Sequence, residues 1–204
     1  MNNQQAHTHW GQFIPLVSVF FFWGFVAAGN DILIPVFKHA FQLTQTQSQF
    51  VSLSFYVAYT VGSVLYLLIS KLIKEDVTKR IGYKNSLVTG LCISAFGTLL
   101  FYPAANMASF NLMLSGLFIV GLGFSLLQTT ANPLAISLGT ANTASQRLTL
   151  AGGVNNFGTT IGPLIVAFAI FGTPSGNNEM SIESVKIPYL VLGAAFLIVA
   201  VFLK

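Results

Sequence analysis

Apolar stretches alternate with polar, turn-rich breaks along the chain. The apolar runs cover approximately residues 13–37, 50–68, 86–105, 112–134, 148–171 and 187–203. About 20 apolar residues suffice to cross a bilayer as a helix, so the pattern predicts six transmembrane helices, the last barely long enough. The breaks carry their own signals. Thr44-Gln45-Thr46-Gln47-Ser48-Gln49 is polar, uncharged and offers an N-cap for the second helix. Residues 139–145 form a turn-prone stretch, residues 174–179 read as a surface loop, and Pro188 suits the start of the sixth helix.

One carboxylate, Asp31, interrupts the first apolar run. An ionisable group inside a span costs roughly 3 kcal/mol by insertion scales, and it persists where it faces protein or a watery cavity. Pro35 lies four residues later and removes the helical partner of the Asp31 carbonyl, so the backbone there is weakened. A transport or proton-relay site is the functional reading. The bland one is a carboxylate near the helix end that reaches headgroup-level water.

The middle spans are rich in small and polar residues. Span 4 leads through Gly116, Gly121, Gly123 and Ser125 into Gln128-Thr129-Thr130-Ala131-Asn132-Pro133. Span 5 carries Asn155, Asn156, Thr159 and Thr160, with Gly158 and Gly162 as a small-xxx-small pair for close helix approach. Pro133 and Pro163 free the carbonyls of Thr129 and Thr159, which predicts broken spans. Broken spans bearing amides suit a midplane site for a hydroxylated ligand, because an amide both donates and accepts. The alternative is that these groups only hydrogen-bond neighbouring helices.

Composition and charge narrow the class. Apolar residues make up 54% of the chain and charged ones 7%, with 19 Phe. A soluble domain carries about 25% charged residues, so lipid is the solvent here. The net charge of +4 is concentrated beside a membrane span, which is topology information and not a nucleic-acid footprint. Lys71, Lys74, Lys79, Arg80, Lys84, Arg147 and Lys204 fall on the even-loop side, seven of the nine basic residues. By the positive-inside rule that side is cytoplasmic, as are both termini, with residues 1–12 as a cytoplasmic tail and 13–204 as the bundle. The absence of Lys and Arg from the first dozen residues argues against a cleaved signal, so the first span is expected to stay. His7, His9, His39 and the lone Cys92 have no partners at metal-ligand spacing, so neither a metal nor a disulfide is expected.

Taken in order, Phe22-Trp23-Gly24-Phe25 with Asn30-Asp31-Ile32-Leu33-Ile34-Pro35, then Arg80-Ile81-Gly82-Tyr83-Lys84, Gln128 to Pro133, and Arg147-Leu148-Thr149-Leu150 leading to Asn155-Asn156-Phe157-Gly158 resemble a family. They are similar to the sugar–proton symporters of the major facilitator superfamily, in the fucose and glucose/galactose permease branch. The resemblance covers nearly the whole chain but only the amino-terminal half of a family member. It implies half of a twelve-helix fold: an all-α membrane protein whose six helices form two three-helix inverted repeats. A second six-helix half, from a separate chain or from self-pairing, would complete it, with a hexose bound between the halves in a bacterial inner membrane.

The resemblance further implies proton coupling at Asp31, the proton itself being the coupling ion with no other cofactor. It implies sugar contacts at Asn30, Gln128, Asn132, Asn155 and Asn156, and a cytoplasmic gating loop with Arg80, Gly82 and Lys84. Burial would be needed to bring Asp31 into play near neutral pH. Three departures are visible. Gln128 stands where fucose permeases carry a second carboxylate, which resembles the glucose/galactose side more. Gly152 replaces a fifth-helix Gln of the fucose type, and Lys79 precedes Arg80 where the superfamily usually has Asp.

Two other classes compete. A membrane enzyme would need a nucleophile with a base, or a metal set, and no HExxH, GxSxG or acid–histidine grouping lies in the spans. A transport-inactive assembly or scaffold subunit, or a truncated gene product, is the remaining alternative. A pure scaffold has no need of an intramembrane Asp.

Overall fold

A computed structural model describes residues 8–172 and 181–204. The loop expected over residues 174–179 and most of the tail lie outside the described residues. The described residues form helices and turns without a strand. Six helical segments are long and apolar enough to cross a membrane: Trp10–Ala40, Gln45–Ile73, Tyr83–Asn106, Phe110–Ser137, Ala141–Phe171 and Ile182–Leu203, here spans 1 to 6. Each encloses its predicted apolar run. The ends reach further because polar residues continue the helices past the hydrocarbon. Residues 10–12, expected in the tail, already belong to span 1. At 1.5 Å per residue, even the 22 residues of span 6 reach about 33 Å, enough for the hydrocarbon core.

Local chemistry sets the ends. The Thr44 hydroxyl accepts from the Gln47 amide while the Gln47 side chain takes the Thr44 amide, a reciprocal cap that starts span 2. Lys74, in the left-handed region at φ 55°, ends it. Asp76 caps the short loop helix Val77–Ile81, and Gly82 turns the chain into span 3 at φ 90°, a value that favours glycine.

Pro35 has the predicted effect. Span 1 changes from α-helix to a 3-10 turn at Asn30–Ile32 before resuming at Leu33–Ala40. Pro133 and Pro163 do not. Phe110–Ser137 and Ala144–Phe171 run as continuous helices through them, which corrects the expectation of broken spans 4 and 5. A proline deletes one backbone hydrogen bond, and with no water in hydrocarbon to compete for the others the rest of the ladder holds.

Glycines decide which spans touch. A side chain at Gly24 would meet the backbone of Asn155, and one at Gly158 or Gly162 would meet the backbone of Phe21 or Phe25, so spans 1 and 5 pack backbone to backbone. Spans 2 and 4 approach as closely, Gly121 against the Phe55 backbone and Gly62 against the Ser125 side chain. Exchanging span 1 with 4 and span 2 with 5 maps one crossing onto the other, as an inverted repeat of three helices requires. Span 3 packs on span 4 through Gly90, Gly97, Gly116 and Gly123, and on span 6 at Gly193. Two apolar clusters fill the interior. One holds Phe13, Phe20, Leu91, Phe124 and Phe196, and the other, toward the odd loops, holds Phe37, Phe101, Met113, Leu117 and Tyr189.

Candidate functional site: a polar face left open

Asp31 sits on the 3-10 turn of span 1, nine residues before the helix ends at Ala40. It is exposed, and its Oδ1 accepts a hydrogen bond from the Ser52 hydroxyl of span 2 at 3.1 Å. The enclosure expected of a proton-coupling carboxylate is therefore not supplied by these six helices.

Three of the predicted sugar contacts come together. Asn132 of span 4 and Asn155 and Asn156 of span 5 line one open groove of about 530 Å³, with Phe20 and Trp23 of span 1 and with Gly152. Asn155 Nδ2 donates to the Phe20 carbonyl at 2.9 Å, which fixes its side chain across the span 1–span 5 crossing and leaves its Oδ1 free to accept. Asn156 is exposed. The absence of a side chain at Gly152, with nothing within 4 Å of a Cβ there, keeps the groove open. An aromatic ring beside three amides suits a molecule with one apolar face and an edge of hydroxyls.

Gln128 is half-buried and lies one helical turn before Asn132, on the same face of span 4 but outside the groove lining. Asn30 is set apart. It is 3% exposed and points to Tyr189 of span 6, away from the asparagine groove. Thr159 and Thr160 give their hydroxyls to the carbonyls of Asn155 and Asn156 within their own helix.

Around the second loop, Arg80 and Lys84 are exposed and Gly82 provides the turn. The ion pair among the described residues is Lys186 with Glu183, at the other end of the molecule, so Arg80 makes none. The loop is organised instead by Asp76, whose Oδ1 accepts from the Thr78 hydroxyl at 2.6 Å and the Thr78 amide at 2.8 Å. Those bonds, the hydroxyl first, hold the Asp76 carboxyl below its usual range.

Three side chains in this region had no individual role legible in the sequence. Ser52 was one hydroxyl among several in span 2. Trp23 lies in an aromatic run that concealed its place beside the asparagines. Arg147 read as a topology charge, yet it is 3% exposed. Its guanidinium donates to the carbonyls of Ala135, Ile136 and Thr140 and to the Thr143 hydroxyl, tying the end of span 4 to the start of span 5.

Residues 12–204 match the Major Facilitator Superfamily, essentially the whole bundle. The chain belongs to that superfamily. It is 38% identical over 187 residues to a glucose/galactose transporter of Brucella abortus, covering 91% of this chain and 43% of that protein. It is 33% identical over 212 residues to the L-fucose-proton symporter of Escherichia coli, covering 96% of this chain and 47% of that one. The fold superposes on a crystal structure of the E. coli fucose:proton symporter with a TM-score of 0.70 at 29% identity, over 94% of this chain and 48% of the other. This superfamily member therefore spans about half the length of the relatives it matches. Those relatives are transporters by name, not enzymes, and the six apolar helices make this chain a multi-pass membrane protein.

Proposed function

We propose that this six-helix unit forms one wall of a proton-coupled hexose transporter, closed by a second six-helix unit. The observation that carries the reading is the open polar face, where Asn132, Asn155 and Asn156 share a groove and Asp31 stays exposed. Uncovered amides and a carboxylate on membrane-spanning helices need a partner surface or a watery cavity. Membership of the superfamily and the named activities of the relatives support the same reading, with glucose or galactose ahead of fucose because Gln128 is not a carboxylate. Sugar contacts are assigned to Gln128, Asn132, Asn155 and Asn156, and the coupling proton to Asp31.

The test uses the complex that transports. Asp31→Asn should abolish proton-driven accumulation of sugar while leaving sugar exchange, which needs binding and rocking but no net proton movement. Undiminished accumulation against a gradient by Asp31→Asn would refute the assignment.

The unit is proposed to sit in a bacterial inner membrane with the Lys71 to Lys84 loop and both termini in the cytoplasm, because seven of nine basic residues fall on that side. Lys79 is exposed in the second loop and Thr46 at the opposite end of the bundle, in the first turn of span 2. Replaced singly by cysteine in a Cys92→Ala background, position 46 should react with an impermeant thiol reagent added outside intact cells. Reaction at position 79 from outside would reverse the orientation.

A further inference from the structure

A second opening lies on the flank of the bundle, between spans 1, 5 and 6. It holds about 480 Å³, within the roughly 300–1,000 Å³ of small-molecule sites. Its walls are apolar, with Phe25, Val26, Ile165, Val166 and Leu192 among them. Ile187 and Val191 edge it and are 73% and 64% exposed, so it opens on the outside of these six helices and shares no wall with the asparagine groove. Glu183 and Ser184, at the start of span 6, give one end a polar rim.

Asn30 lies in this apolar wall. It is 3% exposed, and its Oδ1 accepts a long hydrogen bond of 3.5 Å from the Tyr189 hydroxyl. Its Nδ2 has no partner among the described residues. Nδ2 is itself buried, and a donor in hydrocarbon has no water to relieve it, so the amide has reason to turn from its long Tyr189 bond toward an acceptor brought into the groove.

We propose that the groove binds one acyl chain of a membrane phospholipid, with Asn30 Nδ2 donating to an ester carbonyl oxygen. The site asks for a long apolar body with an acceptor and no donor at its head, and an acyl ester is that molecule. A sugar placed there would leave most of its hydroxyls unpaired against Phe25, Val26 and Leu192. The site is separate from the proposed sugar path, so either reading can fail without the other.

The chain is reconstituted in phosphatidylethanolamine/phosphatidylglycerol vesicles with a trace of phosphatidylcholine carrying a diazirine in one acyl chain. After photolysis the labelled peptides are mapped. Label should concentrate on the groove stretches of spans 1, 5 and 6 over the lipid-facing residues of spans 2 and 3. Ala195→Phe, which fills the groove, should remove that enrichment. Asn30→Leu should lower it about fivefold, the effect of one net hydrogen bond. Ala169→Leu fills the groove from span 5 and serves if Ala195→Phe does not fold by circular dichroism. Even labelling of all spans in the unmutated chain would overturn the site, as would enrichment undiminished by a folded filler. Undiminished enrichment in Asn30→Leu would overturn the hydrogen bond to the ester.

Discussion

At the scale of single residues, Arg147 shows how a buried cation is used when no carboxylate is at hand. Its four hydrogen bonds go to carbonyls and a hydroxyl at the span 4–span 5 turn, where the unpaired carbonyls at a helix end attract positive charge. Lysine would keep the charge but has no planar fork to reach those acceptors together. Arg147→Lys should leave carbonyls buried without donors, at about 1–3 kcal/mol for each. A thermal shift of the detergent-purified protein checks this, and an unchanged midpoint would mean that the network contributes nothing. The sequence showed Arg147 as a basic residue on the cytoplasmic side and as the start of one family-like motif, with no role of its own. Nothing in its spacing told that it folds back onto the preceding helix. Asn30 and Asp31, adjacent in the chain, go to different neighbours for a simpler reason. Neighbours on a helix point about 100° apart, since 3.6 residues complete a turn. One of them faces span 6 while the other faces span 2.

At the scale of elements, the spans themselves were legible because twenty-residue apolar runs leave little alternative in a membrane. Their partners were not, because lipid gives no hydrophobic preference for one helix face over another and the choice falls to small residues. The Gly158 and Gly162 pair announced a close approach without saying to which helix. The structure answers with span 1 and supplies a contrast that can be measured. A Cβ at Gly158 would run into the Phe21 carbonyl, which belongs to a helix and cannot swing aside, whereas one at Gly153 meets nothing within 4 Å. Gly158→Ala should therefore destabilise by about 1–3 kcal/mol through overpacking. Gly153→Ala should be neutral, or stabilising by up to roughly 1 kcal/mol, since alanine is the better helix former. Denaturation of both variants in the same detergent is the measurement. Equal losses would show that the span 1–span 5 crossing is looser than the glycine contacts imply.

At the scale of the whole molecule, the question is what six helices, spanning about half the length of the matched relatives, do by themselves. Spans 2 and 5 are the least buried within the described residues, and with span 1 they carry Asp31, Ser52, Asn155 and Asn156. This polar wall was readable from the sequence as a set of residue types. Its openness was not, because openness belongs to the arrangement of helices around it. Exposed amides facing hydrocarbon cost several kcal/mol per unsatisfied group, so the isolated unit should either pair or be poorly stable. Alternating access by rocking needs two bodies around one site, and this unit supplies one. The expected outcome is that the 204-residue chain, purified and reconstituted alone under an imposed proton gradient, takes up neither glucose nor galactose above empty vesicles. Co-reconstitution with a second six-helix unit should restore saturable uptake. Thiol labelling in a Cys92→Ala background distinguishes a silent monomer from an assembled pair, since a pair closed over the asparagine groove would protect a cysteine placed at Asn156. Saturable uptake by the chain alone, with that cysteine protected, would establish a homodimer as the transporting unit. Uptake with the cysteine still reactive would sink the two-body account altogether.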